Sequence, residues 1–78
     1  MDAPTTVIEV AQLPPGSCAG RILGTFAALR PGEAFEIVVG HDPLPMRRRF
    51  AVEHPDASSW TYLEQGPETW RVRVERRR

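Results

Sequence analysis

The sequence predicts an α/β domain of the two-layer, α+β sandwich kind, with a βαβαββ element order and a mixed four-stranded sheet carrying two helices on one face. Three observations lead there. Short β-branched runs alternate with segments whose apolar residues recur at helical spacing. Proline and glycine clusters punctuate each change of period, and the last third of the chain reads as one hairpin. A length of 78 residues allows one domain with a modest core and argues against a large enclosed active-site cavity.

The elements follow in order. Thr5-Thr6-Val7-Ile8-Glu9-Val10 is rich in β-branched residues and runs into Leu13-Pro14-Pro15-Gly16, which predicts a strand and then a loop. Ser17 is placed to cap a helix in which Cys18, Ile22, Phe26 and Leu29 form an apolar stripe. Arg30-Pro31-Gly32 ends it, because proline cannot continue the hydrogen-bond ladder. Ala34 to Val39 predicts a strand with Phe35, Ile37 and Val39 on the buried face. After the loop His41-Asp42-Pro43-Leu44-Pro45, a second helix is expected from about Pro45 to His54, with Met46 and Phe50 on its buried side.

Trp60 to Gln65, a turn holding Gly66-Pro67, and Thr69 to Glu75 then form the hairpin. Trp70, Val72 and Val74 alternate with Arg71, Arg73 and Glu75, so one face is expected in the core with Trp70 substantially buried. The domain is expected over residues 6–75, with a flexible N-terminus at 1–5 and a frayed tail at 76–78. Right-handed crossovers make the first three strands point the same way, and the hairpin adds one antiparallel strand. The loops after the first two strands and the final turn then share one sheet edge, where open α/β sheets place ligands.

Composition limits the function classes. Ten acidic and ten basic residues cancel, which argues against nucleic acid or an anionic membrane as a partner. Every basic residue is arginine, so lysine chemistry is excluded and planar contacts to carboxylate or phosphate are favoured. One cysteine cannot form an internal disulfide, and a reducing, cytoplasmic setting fits. The N-terminus lacks a leader pattern, and no apolar run approaches the roughly 20 residues of a membrane span.

Leu13-Pro14-Pro15, Arg30-Pro31-Gly32-Glu33, His41-Asp42-Pro43-Leu44-Pro45 and Trp60-Thr61-Tyr62-Leu63-Glu64-Gln65-Gly66-Pro67-Glu68-Thr69-Trp70-Arg71-Val72 resemble a family of small TusA-like bacterial domains of unknown function. The resemblance covers roughly residues 6 to 74, from the first strand to the last. It implies a standalone protein or a companion of hemerythrin-like domains, with a theme of nitrogen-oxide or respiratory metabolism. The broader TusA sulfur carriers hold a persulfide on the cysteine of a Cys-Pro-x-Pro motif at the start of the first helix. Counting back from Pro31-Gly32-Glu33 puts that position at Pro15, with Cys18 three residues later, where related domains often have histidine. This departure argues against ordinary sulfur transfer.

Individual residues admit two readings each. Cys18, in the first helical turn, is either a reactive or metal-binding thiol or a small apolar member of the core stripe, and the stripe favours the core. His41 lies at the strand-end edge and is the better metal ligand, with Cys18 and Met46 as helpers, although no HxxxH, CxxC or HExxH spacing is present. His54 reads as a solvated helix end. Asp42, Glu64 and Glu68 either orient the His41 imidazole or bind a cation, or act as turn caps and solvated charges. Arg47-Arg48-Arg49 fans over a wide arc and reads as a solvated helical face, while Trp60, Tyr62 and Trp70 suit cross-strand packing better than base stacking.

The leading expectation is a non-enzymatic accessory or binding module that meets a protein partner or small ligand through the strand-end edge, using His41, Asp42, Cys18, Glu64 and Glu68. A divergent sulfur-transfer protein using Cys18, and a metal- or haem-binding protein using His41, are the alternatives.

Overall fold

The computed structural model describes residues 5–78; apart from Thr5, the segment expected to be a flexible N-terminus lies outside the described residues. Seven elements follow the expected order: β1 (Thr6–Glu9), one turn of 3-10 helix (Val10–Gln12), α1 (Cys18–Ala27), β2 (Ala34–Val39), α2 (Leu44–Glu53), β3 (Ser58–Gln65) and β4 (Trp70–Arg76). The four strands form one sheet in the order β1-β2-β4-β3. β1 and β2 are parallel, and β4 runs antiparallel to both β2 and β3, so β1, β2 and β3 share one direction as expected. The crossover through α2 carries the chain past an open slot, and β4 returns from the hairpin to fill it.

Burial explains why β4 takes the inner position. Phe35, Ile37 and Val39 of β2 and Val72 and Val74 of β4 all face the helix layer and are buried, so the most apolar alternations sit side by side at the centre. Ile8 of β1 joins them, while α1 contributes Ile22 and Phe26 and α2 contributes Phe50. The Phe26 and Phe50 rings meet edge to face at 4.9 Å, and Trp60 meets Phe50 at 5.3 Å. Among the described residues, no helix covers the opposite sheet face, where Glu36 pairs with Arg71 at 2.7 Å and Arg73 with Glu75 at 2.8 Å.

Several local expectations are corrected. Ser17 precedes α1, yet its hydroxyl turns back and donates to the Pro14 carbonyl at 2.6 Å instead of capping the helix. Leu29 falls beyond α1, which ends at Ala27. α2 starts at Leu44, one residue early, with Pro45 tolerated in the first turn because the amide it lacks has no intrahelical partner there. Trp70 is half-buried at the rim of the core, its ring edge-on to Tyr62, while Val72 and Val74 are fully enclosed. Arg76 ends β4 against the C-terminal end of α1, whereas Trp70 adjoins the hairpin turn at the other end of the strand.

Arg76, assigned from sequence to a frayed tail, is the last residue of β4. Its guanidinium donates to the carbonyls of Phe26 and Ala27 at 3.3 and 3.2 Å and lies 5.4 Å from the Phe26 ring centroid. A cation thus satisfies the open carbonyl end of α1, where the helix dipole is negative. The neighbouring exit turn is closed by the Glu33 carboxylate, which accepts from the Arg30 amide at 2.6 Å, and Gly32 supplies the positive φ of 92° that the turn needs.

Candidate functional site

The strand-end edge forms as expected. In register across the sheet, Val39 pairs with Trp70 and Trp70 with Gln65, which brings the loop after β2 beside the hairpin turn, and Glu9 pairs with Val38 next to them. Beneath this edge lies an apolar pocket of about 170 Å³. Val10 and the first turns of α1, through Cys18 and Ile22, form one wall. Ile37 and Val39 of β2 form the floor, and His41, Pro43, Pro45 and Met46 form the other wall.

Three of the sequence-predicted residues, Cys18, His41 and Met46, therefore line one pocket. The helical spacing that aligned Cys18 with Ile22 and Phe26 does not bury it: Cys18 is only partly covered and lies outside the buried cluster. Its side chain lines the pocket beside Ile22, Ile37 and Val39, at the margin of that cluster.

Asp42 is drawn into a different set of contacts. Its backbone carbonyl lies 3.2 Å from Nδ1 of His41, and its carboxylate accepts a hydrogen bond from the Tyr62 hydroxyl at 2.9 Å. Arg47, the first of the three consecutive arginines, rests its guanidinium 5.7 Å from the Tyr62 ring centroid, and Arg49 pairs with Glu53 along the helix. From sequence Tyr62 reads as a packing or base-stacking residue, and its tie to Asp42 is not foreseen. Its parity with Trp60 on the helix-facing side of β3, together with a hydroxyl that needs a partner when covered, is the signal that pointed to it.

Burial, and then the Asp42 hydrogen bond and charge, raise the Tyr62 phenol above its ordinary value of 10.0, against a smaller opposing pull from Arg47. A raised value means the folded chain holds this proton more tightly than the unfolded chain. The contribution is whole below the unfolded value near 10 and is lost as pH rises through the folded value. Tyr62 is the sole tyrosine, so phenolate absorbance reads it directly. The titration midpoint is expected above 10, and Asp42→Asn is expected to lower it toward 10; a midpoint unchanged by that substitution would break the assigned pair.

The two other acidic candidates do not join. Glu68 lines a separate groove of about 320 Å³ with Glu9, Gln12 and Gly40, and Glu64 lies past a bulge in β3, opposite Arg71. Among the described residues neither pairs with His41. His54 is also corrected: it packs on Phe26 and Phe50 at 5.1 and 5.7 Å and is half-buried, not solvated. A wider, open groove of about 600 Å³ runs along Gly20 and Gly24 of α1 and Ala28 just beyond it, away from every sequence-predicted site residue.

Among the described residues, no three His, Cys, Asp or Glu side chains gather to hold a metal ion, and no helix is long and apolar enough to cross a membrane. No curated protein and no solved structure matches the chain. A family model described as an uncharacterized conserved protein (DUF2249) matches residues 7–76, from the first strand to the last residue of the fourth, and on that extent of agreement the chain belongs to the DUF2249 family.

Proposed function

We propose that this chain is a non-enzymatic binding module that takes its ligand or partner at the strand-end edge, through the pocket between β2, α1 and α2. The observation that carries the reading is the convergence of Cys18, His41 and Met46, from three separate segments, on one apolar pocket. Ligand sites of this kind are apolar concavities with a few convergent polar groups, placed outside the carboxyl ends of parallel strands. The TusA-like relation is supported by the βαβαββ order with both helices on one face. A cytoplasmic setting, and work beside hemerythrin-like or respiratory proteins, complete the proposal.

An apolar void of about 150 Å³ accepts benzene, which makes benzene a probe for this pocket. Amide resonances of Val10, Cys18, Val39 and Met46 are expected to move together on titration with benzene. Shifts that are absent, or concentrated along the Gly20–Ala28 groove, would move the site elsewhere. Divergent sulfur transfer is the second reading, favoured by one observation: Cys18 is partly exposed and opens to the pocket instead of being sealed in the core. It requires Cys18 to accept labelled sulfur from a persulfide donor, with Cys18→Ser abolishing the label.

A further inference from the structure

We propose that a second pocket, between α2 and the start of β3, binds a phosphate group through Arg47 and Arg77, with His54, Ser58 and Trp60 as further donors. It measures about 200 Å³ and shares no lining residue with the strand-end pocket, so the inference goes beyond the binding reading above and stands apart from it. Arg47 comes from α2 and His54 from the end of that helix, Ser58 and Trp60 from β3, and Arg77 from the residue after β4. Two backbone hydrogen bonds gather the lower part of the site: the Ala57 amide donates to the His54 carbonyl at 3.1 Å, and the Arg77 amide to the Ala57 carbonyl at 2.8 Å. His54, Ser58 and Arg77 therefore leave neighbouring points of the backbone and line one concavity.

Charge is the first support. Arg49, Arg71, Arg73 and Arg78 pair with carboxylates, the last with Asp56 of the same pocket at 3.9 Å, whereas among the described residues neither Arg47 nor Arg77 has such a partner. Two guanidiniums without carboxylates thus line one small space, and a phosphate monoester, at about −1.5 to −2 charge with three acceptor oxygens, matches both. An unpartnered donor is the second support. The Trp60 Nε1–H is buried and has no acceptor among the described residues, although buried polar groups are nearly always paired. Trp60 lines this pocket, so an oxyanion bound here supplies an acceptor. Shape is the third. Donors from three segments suit a tetrahedral anion, while one guanidinium fork already serves a planar carboxylate. About 200 Å³ is also smaller than the roughly 300–1,000 Å³ of sites that enclose larger organic ligands, so the pocket takes the phosphate and little beyond it.

The test uses the full chain labelled with nitrogen-15, whose two tryptophans give two indole resonances, with Trp60→Phe assigning the one from Trp60. Inorganic phosphate and methyl phosphate are titrated separately at constant ionic strength, with chloride as the control. The Trp60 Nε1–H resonance is expected to move to saturation with phosphate and to stay in place with chloride, and the tighter of the two phosphates tells a free anion from an ester. Arg47→Gln and Arg77→Gln are each expected to weaken binding by about tenfold or more, the loss of a hydrogen bond between charged groups. Asp56→Asn, which removes the one negative charge of the lining, is expected to tighten it. All three side chains are exposed, so melting curves near wild type check that the variants fold. A Trp60 resonance that neither phosphate moves overturns the site. So does an equal movement with chloride, which is ionic screening alone, or an affinity that either arginine variant leaves unchanged.

Discussion

Phe26→Ala is expected to destabilise the domain by about 3–5 kcal/mol, the cost of emptying a large aromatic position in a packed core. The ring is 2% exposed and touches three kinds of partner: the Phe50 ring edge to face at 4.9 Å, the His54 imidazole at 5.1 Å, and the Arg76 guanidinium at 5.4 Å. Its removal opens a void between α1, α2 and the end of β4, and Arg76 loses the surface it rests on while its hydrogen bonds to the helix end remain. At roughly 0.05–0.15 kcal/mol per residue, a domain of this length has about 4–12 kcal/mol in total. The loss is therefore a large part of the whole. Urea unfolding checks it through the midpoint, with the slope unchanged; a shift worth less than about 1 kcal/mol would mean that the two helices do not meet on this ring. Trp70→Ala, at the half-buried rim, is expected to cost less than Phe26→Ala in the same assay.

Gly66→Ala is expected to cost about 2–5 kcal/mol, from two sources. Gly66 has a φ of 62°, a left-handed conformation that costs an L-residue roughly 1–2 kcal/mol. A Cβ there would also meet the Trp70 indole, 2.9 Å from Nε1 and 3.0 Å from Cε2, and overpacking of this kind adds about 1–3 kcal/mol. The ring cannot yield freely because it packs against Tyr62, and the Gly66 amide is itself tied to the Thr69 carbonyl at 2.8 Å. The double variant Gly66→Ala/Trp70→Ala tells the sources apart. Removing the ring is expected to relieve the crowding and leave the backbone cost, a coupling of about 1–3 kcal/mol in a thermodynamic cycle. An equal penalty for Gly66→Ala with and without the indole would show that crowding plays no part.

Legibility of the site varied with the range of the contacts. His41 was placed at the strand-end edge from strand direction alone, because parallel strands joined by crossover helices put their outgoing loops at one end. Cys18, which the apolar stripe favoured for the core while it also stood as a site candidate, is only partly covered, since helical spacing reports which residues share a face but not how deeply each is buried. Glu64 and Glu68 lay near enough in the hairpin to attract notice, yet the bulge after Tyr62 and the turn itself aim them elsewhere. Tyr62 was passed over because its partner, Asp42, lies 20 positions away.

By itself the sequence determined the element order, the shared direction of the first three strands and the buried face of β2 and of the Val72–Val74 stretch. These depend on periodicity and on proline and glycine punctuation, which act over a few residues and leave a readable pattern. Only the tertiary structure decided that β4 enters between β2 and β3, that Arg76 closes the end of α1 from 50 residues away, and that Cys18, His41 and Met46 line one pocket. Such contacts form after long loops close, and they are selected by the shape and burial of the whole core, to which no local stretch of sequence has access.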